Sequence, residues 1–365
     1  MRHQEHFQLL TFYKFVDIPE AEAHRLVEEQ WKFTHDIGLK GRVYIGTEGI
    51  SATVTGNAGQ LWAYREYLNS VPEFQNIPDI DSKANNVDGH KFDKMTVKYR
   101  DEIVTVGEKV TAQEVEKFRK ELTPEAFKQI LDEGKTDEYL ILDMRNDYEY
   151  QLGHFKGAIP AGTVNFREVP KLLERYRETA KNKKIIWYCT GGIRCEKAAV
   201  IMNKAGLDEV YAIEGGVVKY TNTYNDGNWL GNLYTFDGRV STQIGDGQTH
   251  TTIGSCLYSG KPTDNCENCR YAACNARLIA DHKEYLAHGG FCSQECFQNA
   301  QNDGLVKNVD WDPYNYKMSV REAKRAGGET EKEMMEALKN HIISRYGKVT
   351  FRHLLSQKET SIIMD

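Results

Sequence analysis

The stretch Cys189-Thr-Gly-Gly-Ile-Arg194-Cys195 leaves its surroundings little choice of fold. Before it runs a short apolar segment, Ile185 to Tyr188, and after it an Ala-rich pattern of helical period, Glu196 to Lys204. An apolar run bounded by a glycine-bearing turn reads as a buried strand that feeds a helix, the repeating unit of a parallel sheet covered on both faces. Cys189 then sits at the carboxyl end of a strand, where such sheets place their sites. The N–H groups of the loop Thr190, Gly191, Gly192 and Ile193, together with the helix N-terminus, favour an anion there, so the thiol is expected to ionise easily. Arg194 adds a fixed positive charge. A phosphatase cradle needs Cys-x5-Arg; here the spacing is Cys-x4-Arg, a tighter ring suited to one terminal sulfur, as in a persulfide.

Three further pieces fall in order around this loop. Tyr139-Leu-Ile-Leu-Asp143-Met-Arg145 reads as a buried strand ending in a charged pair, and Gly153-His-Phe-Lys-Gly-Ala158 as a turn. Ile213-Glu-Gly-Gly-Val217 follows the helix. Together with the Cys189 loop they resemble a rhodanese domain over about residues 120 to 230, in which the matching cysteine carries a persulfide. The flanks narrow the likeness. Thr11-Phe-Tyr-Lys-Phe15, Gly41-Arg-Val-Tyr-Ile-Gly-Thr-Glu-Gly-Ile-Ser-Ala52 and the full run Tyr188 to Ala198 resemble the tRNA uridine(34) hydroxylase family over about residues 7 to 300. That resemblance implies a monooxygenase-type oxidoreductase, which installs a 5-hydroxyl on the wobble uridine using molecular oxygen and a reductant. Its partner would be the anticodon region of tRNA, and Cys189 its reactive, persulfide-forming residue. The competing expectation is a rhodanese-type sulfurtransferase that moves persulfide sulfur to a small-molecule or RNA acceptor.

The expected architecture is α/β, in four parts. Residues 1–110 show a β-α-β-β-α-β order, that of a ferredoxin-like (acylphosphatase-like) α+β domain with possible tRNA contacts. Its pieces are a strand Gln8 to Val16, a helix Glu20 to Ile37 with Ala23, Leu26, Val27, Gln30, Trp31 and Thr34 on one face, and a hairpin turning at Gly46-Thr-Glu-Gly49. A helix Ala58 to Ser70 and a closing strand Met95 to Val106 complete it. Residues 107–123 read as a connector, and 120–232 as the rhodanese-like domain, its central parallel sheet flanked by helices. A small Cys-rich part, 233–310, opens with the expected strand Tyr234 to Val240; a charged helical tail occupies 311–365, with Met335, Leu338 and Ile342 at helical spacing.

Six cysteines fall between Cys256 and Cys296. The spacings Cys269-x4-Cys274 and Cys292-x3-Cys296 let two thiolates reach one metal, so these four are the candidate ligands of one structural zinc, with Gly289-Gly290 allowing the tight turn. The segment departs from its family at Cys256-Leu-Tyr-Ser259, which argues against a second metal. Cys195 is a candidate resolving thiol for Cys189. Asp143 and Arg145 are expected to form a structural ion pair, and His154 a turn hydrogen bond. Arg42 and Glu48 are either solvated hairpin charges or substrate contacts. No dinucleotide-binding fingerprint, P-loop or iron triad stands out, so no catalytic cofactor is evident.

A net charge of -6 argues against a nonspecific nucleic-acid binder, leaving RNA contact to local basic groups. Candidates are Lys91, Lys94, Lys98 and Arg100, with Lys181, Lys183 and Lys184 before the Cys189 strand. The first residues lack a signal peptide's apolar stretch and no segment is long enough to span a bilayer, so a cytoplasmic protein without membrane contact is expected. In that compartment the eight cysteines are thiols, persulfides or metal ligands rather than disulfides.

Overall fold

The computed structural model describes residues 7–307, apart from 78–79, 81–83, 136–137, 164, 171–175, 177–182, 225–226 and 245–249. Lys181 and the expected tail helix lie outside the described residues. The chain forms two compact units, Met1–Thr251 and Thr252–Asp365.

The first unit begins with β1 (Phe7–Phe15), α1 (Glu20–Asp36), β2 (Lys40–Gly46), β3 (Gly49–Asn57) and α2 (Ala58–Ser70). Two further strands follow, β4 (Ala84–Val87) and β5 (Met95–Tyr99), in a sheet of order β4-β1-β3-β2-β5. The ferredoxin-like order is present, but its closing strand is β4, antiparallel to β1. The expected closing strand is shorter than its sequence and sits at the other edge, parallel to β2. Polar Ala84-Asn-Asn-Val87 carries almost no β signal; only edge pairing with β1 makes it a strand.

Alternation along these strands sorts side chains onto two faces. Leu10, Phe12, Val43, Ile45, Ala52 and Val54 pack under α1 and α2. Leu9, Thr11, Tyr13, Tyr44, Ser51 and Thr53 take the opposite face. On α1 the buried positions are Ala23, Leu26, Gln30 and Thr34. Trp31, expected on that face, is 50% exposed, because it lies one residue, about 100°, round the helix from Gln30. The hairpin needs its glycines: a Cβ on Gly46 would lie 1.9 Å from the Arg100 carbonyl oxygen, and Gly49 has φ +128°.

The connector contains a short helix, α3 (Ala112–Phe118), started by a Thr111–Glu114 capping box. Next come β6 (Glu121–Leu122), α4 (Pro124–Asp132), β7 (Tyr139–Asp143), α5 (Asp147–Leu152), β8 (Gly153–Phe155), β9 (Ile159–Pro160) and β10 (Lys184–Tyr188). Then follow α6 (Ile193–Lys204), β11 (Val210–Ile213) and α7 (Gly216–Thr223). The sheet β6-β11-β10-β7-β9 is parallel at every pairing. Leu140, Leu142, Ile185 and Trp187 face α6 through Ala198 and Met202. Ile141, Ile186 and Tyr188 face Phe127 of α4 and Tyr220 of α7. Burial on both faces is why these strands read as unbroken apolar runs.

The unit ends with β12 (Trp229–Tyr234) and β13 (Ser241–Gln243), an antiparallel pair. The expected strand from Tyr234 to Val240 is instead mostly the turn between them, where Asp237 accepts from the Arg239 backbone and side chain. A buried ion cluster ties this unit together. Lys197 of α6 donates to Glu48 at 2.7 and 3.0 Å and to Glu102 at 2.6 Å. Glu48 also accepts from the backbone of Ile103 and Val110, so this hairpin charge is neither solvated nor open to substrate.

In the second unit, β14 (Cys266–Asn268) and β15 (Arg277–Ile279) form a hairpin followed by α8 (His282–Ala287) and α9 (Gln294–Asp303). Among the described residues no helix is long and apolar enough to cross a membrane.

Candidate active site and cysteine cluster

Cys189 follows β10 directly and is fully buried. Its sulfur accepts the Gly192 N–H at 3.1 Å. Gly192 has φ +102°, a conformation glycine adopts freely. On the far side, the first N–H groups of α7 hold the loop: Val217 donates to the Cys189 carbonyl and Val218 to that of Thr190, both at 3.0 Å. A Cβ on Gly216 would lie 2.4 Å from the Cys189 carbonyl oxygen, which explains the Gly215-Gly216 pair.

Burial alone would suppress ionisation of Cys189 and is the largest single influence on it. The Cys195 thiol, the Arg194 charge and the N–H groups of Cys195 and Gly192 together outweigh it, drawing the thiol down to about 5. Cys195 is pushed the other way, by burial first and then by the neighbouring Cys189, so it stays a neutral thiol facing an anion.

Arg194 does not point freely into the loop. It donates to both carboxylate oxygens of Glu149, at 2.8 and 3.0 Å, and to Thr190 Oγ1 at 3.1 Å. Glu149 is fully buried; burial opposes its charge, but Arg194 keeps the carboxyl below the ordinary range. Glu149 also caps α5 by accepting the Asn146 N–H. The sequence reading missed Glu149; its one signal was the Asn146-x-x-Glu149 capping pattern. Asp143 and Arg145 form the expected buried pair, with Arg145 donating at 2.9 Å and also to the Gly153 carbonyl. His154 makes its turn hydrogen bond to the Tyr150 carbonyl at 2.8 Å.

A cavity of about 730 Å³ opens over this loop. One wall is Cys189, Thr190, Gly191, Ile193 and Arg194. The other is the helix-free face of the first sheet: Leu9, Thr11, Tyr13, Tyr44, Ser51 and Thr53. Phe236 and Arg239 from the β12–β13 turn line its rim. The basic candidates separate. Lys98 pairs in register with Tyr44, and Arg100 lies over the Tyr44 ring at 5.2 Å, both beside the open face. Arg42 reaches the Phe236 carbonyl at 3.2 Å. Lys184 begins β10, with Lys183 just before it, about 16 Å along the strand from Cys189 at its other end, and the two do not join that group.

In the second unit the sulfurs of Cys269, Cys274, Cys292 and Cys296 all lie within 4.8 Å of one another. Cys292 is 3.7 Å from Cys274 and 3.3 Å from Cys296. A tetrahedral Zn–S₄ centre with bonds of ~2.3 Å spaces its sulfurs by ~3.8 Å, so the four thiols fit such a metal. Gly289 and Gly290 have φ +79° and +77°, the turn expected there. Cys256 and Cys266 are outside the group.

These features define a class: a rhodanese-type thiolate domain whose site is walled by an acylphosphatase-like sheet. Residues 7–103 match the UPF0176 acylphosphatase like domain, 123–223 the rhodanese-like domain and 230–297 the rhodanase C-terminal region. Proteins named tRNA uridine(34) hydroxylase are similar over most of the chain. That of Oceanobacillus iheyensis is 34% identical, covering 83% of this chain and 91% of its own length. Those of Bacillus licheniformis (35%; 81% and 90%) and Onion yellows phytoplasma (32%; 83% and 96%) are comparable. The chain belongs to the tRNA uridine(34) hydroxylase family, a family of enzymes.

Proposed function

We propose that this chain hydroxylates C5 of uridine 34 in tRNA, with Cys189 as the nucleophile. The observation that carries the reading is the Cys189 anion at one wall of a 730 Å³ cavity, a volume within the range of small-molecule sites and ample for one extruded nucleotide. The facing sheet supplies Tyr44 for stacking, with Lys98 and Arg100 beside it for backbone phosphates. Attack of the thiolate on C6 of the uracil ring sends the C5=C6 electron pair towards O4 and makes C5 electron-rich. Molecular oxygen then supplies the new C5 oxygen, and two electrons with two protons from a reductant carry its second atom to water. The enzyme is thus a monooxygenase-type oxidoreductase working where tRNA is found, in the cytoplasm.

Arg194 and Glu149 hold the cradle, and Cys195 donates to the anion and can close a disulfide with it when the site is oxidised. The cysteine cluster holds a structural zinc that folds the second unit. A sulfurtransferase reading draws on the sulfur-sized cradle alone, but it gives no task to the opposite wall. Mass spectrometry of tRNA nucleosides from cells whose sole copy is Cys189→Ser tests both readings. Loss of 5-hydroxyuridine is expected; normal 5-hydroxyuridine with loss of a thiolated nucleoside would overturn the proposal.

A further inference from the structure

One wall residue of the cavity belongs to a hydrogen-bond chain that the reading above leaves without a task. Tyr13 of β1 donates its phenol proton to Glu196 Oε1 at 2.6 Å. Glu196 lies in the first turn of α6 and is largely buried, and Arg119 donates to its second oxygen at 3.1 Å. The Tyr13 hydroxyl also lies against Gly192, where a Cβ would come within 2.5 Å of it. Gly192 is the residue whose N–H holds the Cys189 sulfur. One glycine therefore separates the phenol from the thiolate, and both line the same cavity.

The direction of the hydrogen bond limits what this pair can do. The phenol's single proton is committed to a carboxylate, so the oxygen presents acceptor capacity rather than a proton to its surroundings. Burial, the Glu196 charge and the nearby Cys189 anion all push phenol ionisation up, so the resting group is neutral. A neutral phenol backed by a carboxylate is a base relay: it takes a proton on oxygen as it hands its own to the carboxylate.

We propose that Tyr13 and Glu196 form the proton-accepting relay of the Cys189 site, removing the C5 proton of the hydroxylated pyrimidine adduct. This inference rests on the proposed attack of Cys189 at C6. In that adduct C5 carries both hydrogen and hydroxyl, and C6 carries sulfur. The C5–H bond breaks, with its proton going to Tyr13 Oη while the phenol proton moves to Glu196 Oε1. The electron pair left at C5 forms C5=C6, the C6–S bond breaks, and its pair returns to sulfur as the Cys189 thiolate. Glu196 ends protonated and no oxidant is needed in this step. Arg119 is a positioning residue that holds the second carboxylate oxygen of Glu196 and so aims the first at Tyr13.

Tyr13→Phe removes one oxygen and keeps the ring, and Glu196→Gln keeps the shape but cannot take the proton. Assayed as full-length protein with tRNA, oxygen and a reductant, each should lower kcat by about 100-fold while KM for tRNA stays within about twofold. Both should accumulate a protein–tRNA adduct through Cys189, visible as a ribonuclease-sensitive band on a denaturing gel. With tRNA deuterated at uridine C5, breakdown of that adduct should slow further. Wild-type turnover in Tyr13→Phe, or lost turnover without adduct in both variants, overturns the relay. Cys189→Ser separates the two ideas. If it still makes 5-hydroxyuridine, the proposed function fails; if it is inactive while Tyr13→Phe is normal, only the relay fails.

Discussion

Cysteine serves two opposite purposes in the two units of this chain. Around Cys189 a single sulfur is surrounded by donors: the Gly192 N–H, the Cys195 thiol and the Arg194 charge. In the second unit four sulfurs are packed against each other, with the Cys292 N–H on Cys269 at 3.4 Å. The first arrangement stabilises one anion by itself and leaves it reactive. The second places four sulfur ligands within reach of one metal, and burial raises the thiols of Cys269 and Cys292 instead of drawing them down. Reactivity thus follows from what surrounds the sulfur, not from the residue type.

The largest effect expected from breaking this contrast is on the second unit. If zinc holds it, a chelator should collapse that unit, lost metal binding being worth on the order of 10 kcal/mol. Cys292→Ser should do the same, whereas Cys266→Ser, outside the sulfur group, should keep its metal; elemental analysis and near-UV circular dichroism distinguish the variants. A smaller loss is expected at the first site. Arg194→Met leaves Glu149 charged and buried without its partner, a change that costs about 3–5 kcal/mol. Urea unfolding measures it, and a loss under 1 kcal/mol would mean that the pair is not needed to hold the cradle.

The smallest change expected is almost none. Because its environment lowers the Cys189 thiol to about 5, the anion predominates from pH 6 upward and is lost only as pH falls through 5. Iodoacetamide alkylation of Cys189 should therefore be nearly flat between pH 8 and 6. An ordinary thiol, ionising near 8.5, slows by roughly 80-fold over that range. A profile like the ordinary thiol's would erase the contrast between the two cysteine regions.

Much of this was legible in the chain because it depends on neighbours in sequence. The strand, loop and helix around Cys189 span consecutive residues, and the metal-type spacings Cys269-x4-Cys274 and Cys292-x3-Cys296 are short. The order of the first domain was readable too, but not its last strand. Ala84–Val87 carries polar residues at an edge, while Met95–Tyr99 carries the apolar pattern and serves as an added strand instead. Trp31 shows the limit of periodicity, since a residue 100° off the buried face still looks apolar in the pattern.

By itself the sequence determined that a thiol would stand at the end of a buried strand inside a ring of N–H groups, because backbone geometry over a few residues dictates it. It also determined that four cysteines could reach a common centre. Only the tertiary structure decided what completes the Cys189 site. Glu149 meets Arg194 across 45 residues, Glu48 meets Lys197 across 149, and Tyr13 meets Glu196 across 183. No local pattern encodes those pairings. A buried charge must find a partner wherever the packing of sheets and helices brings one, and that packing is a property of the whole unit.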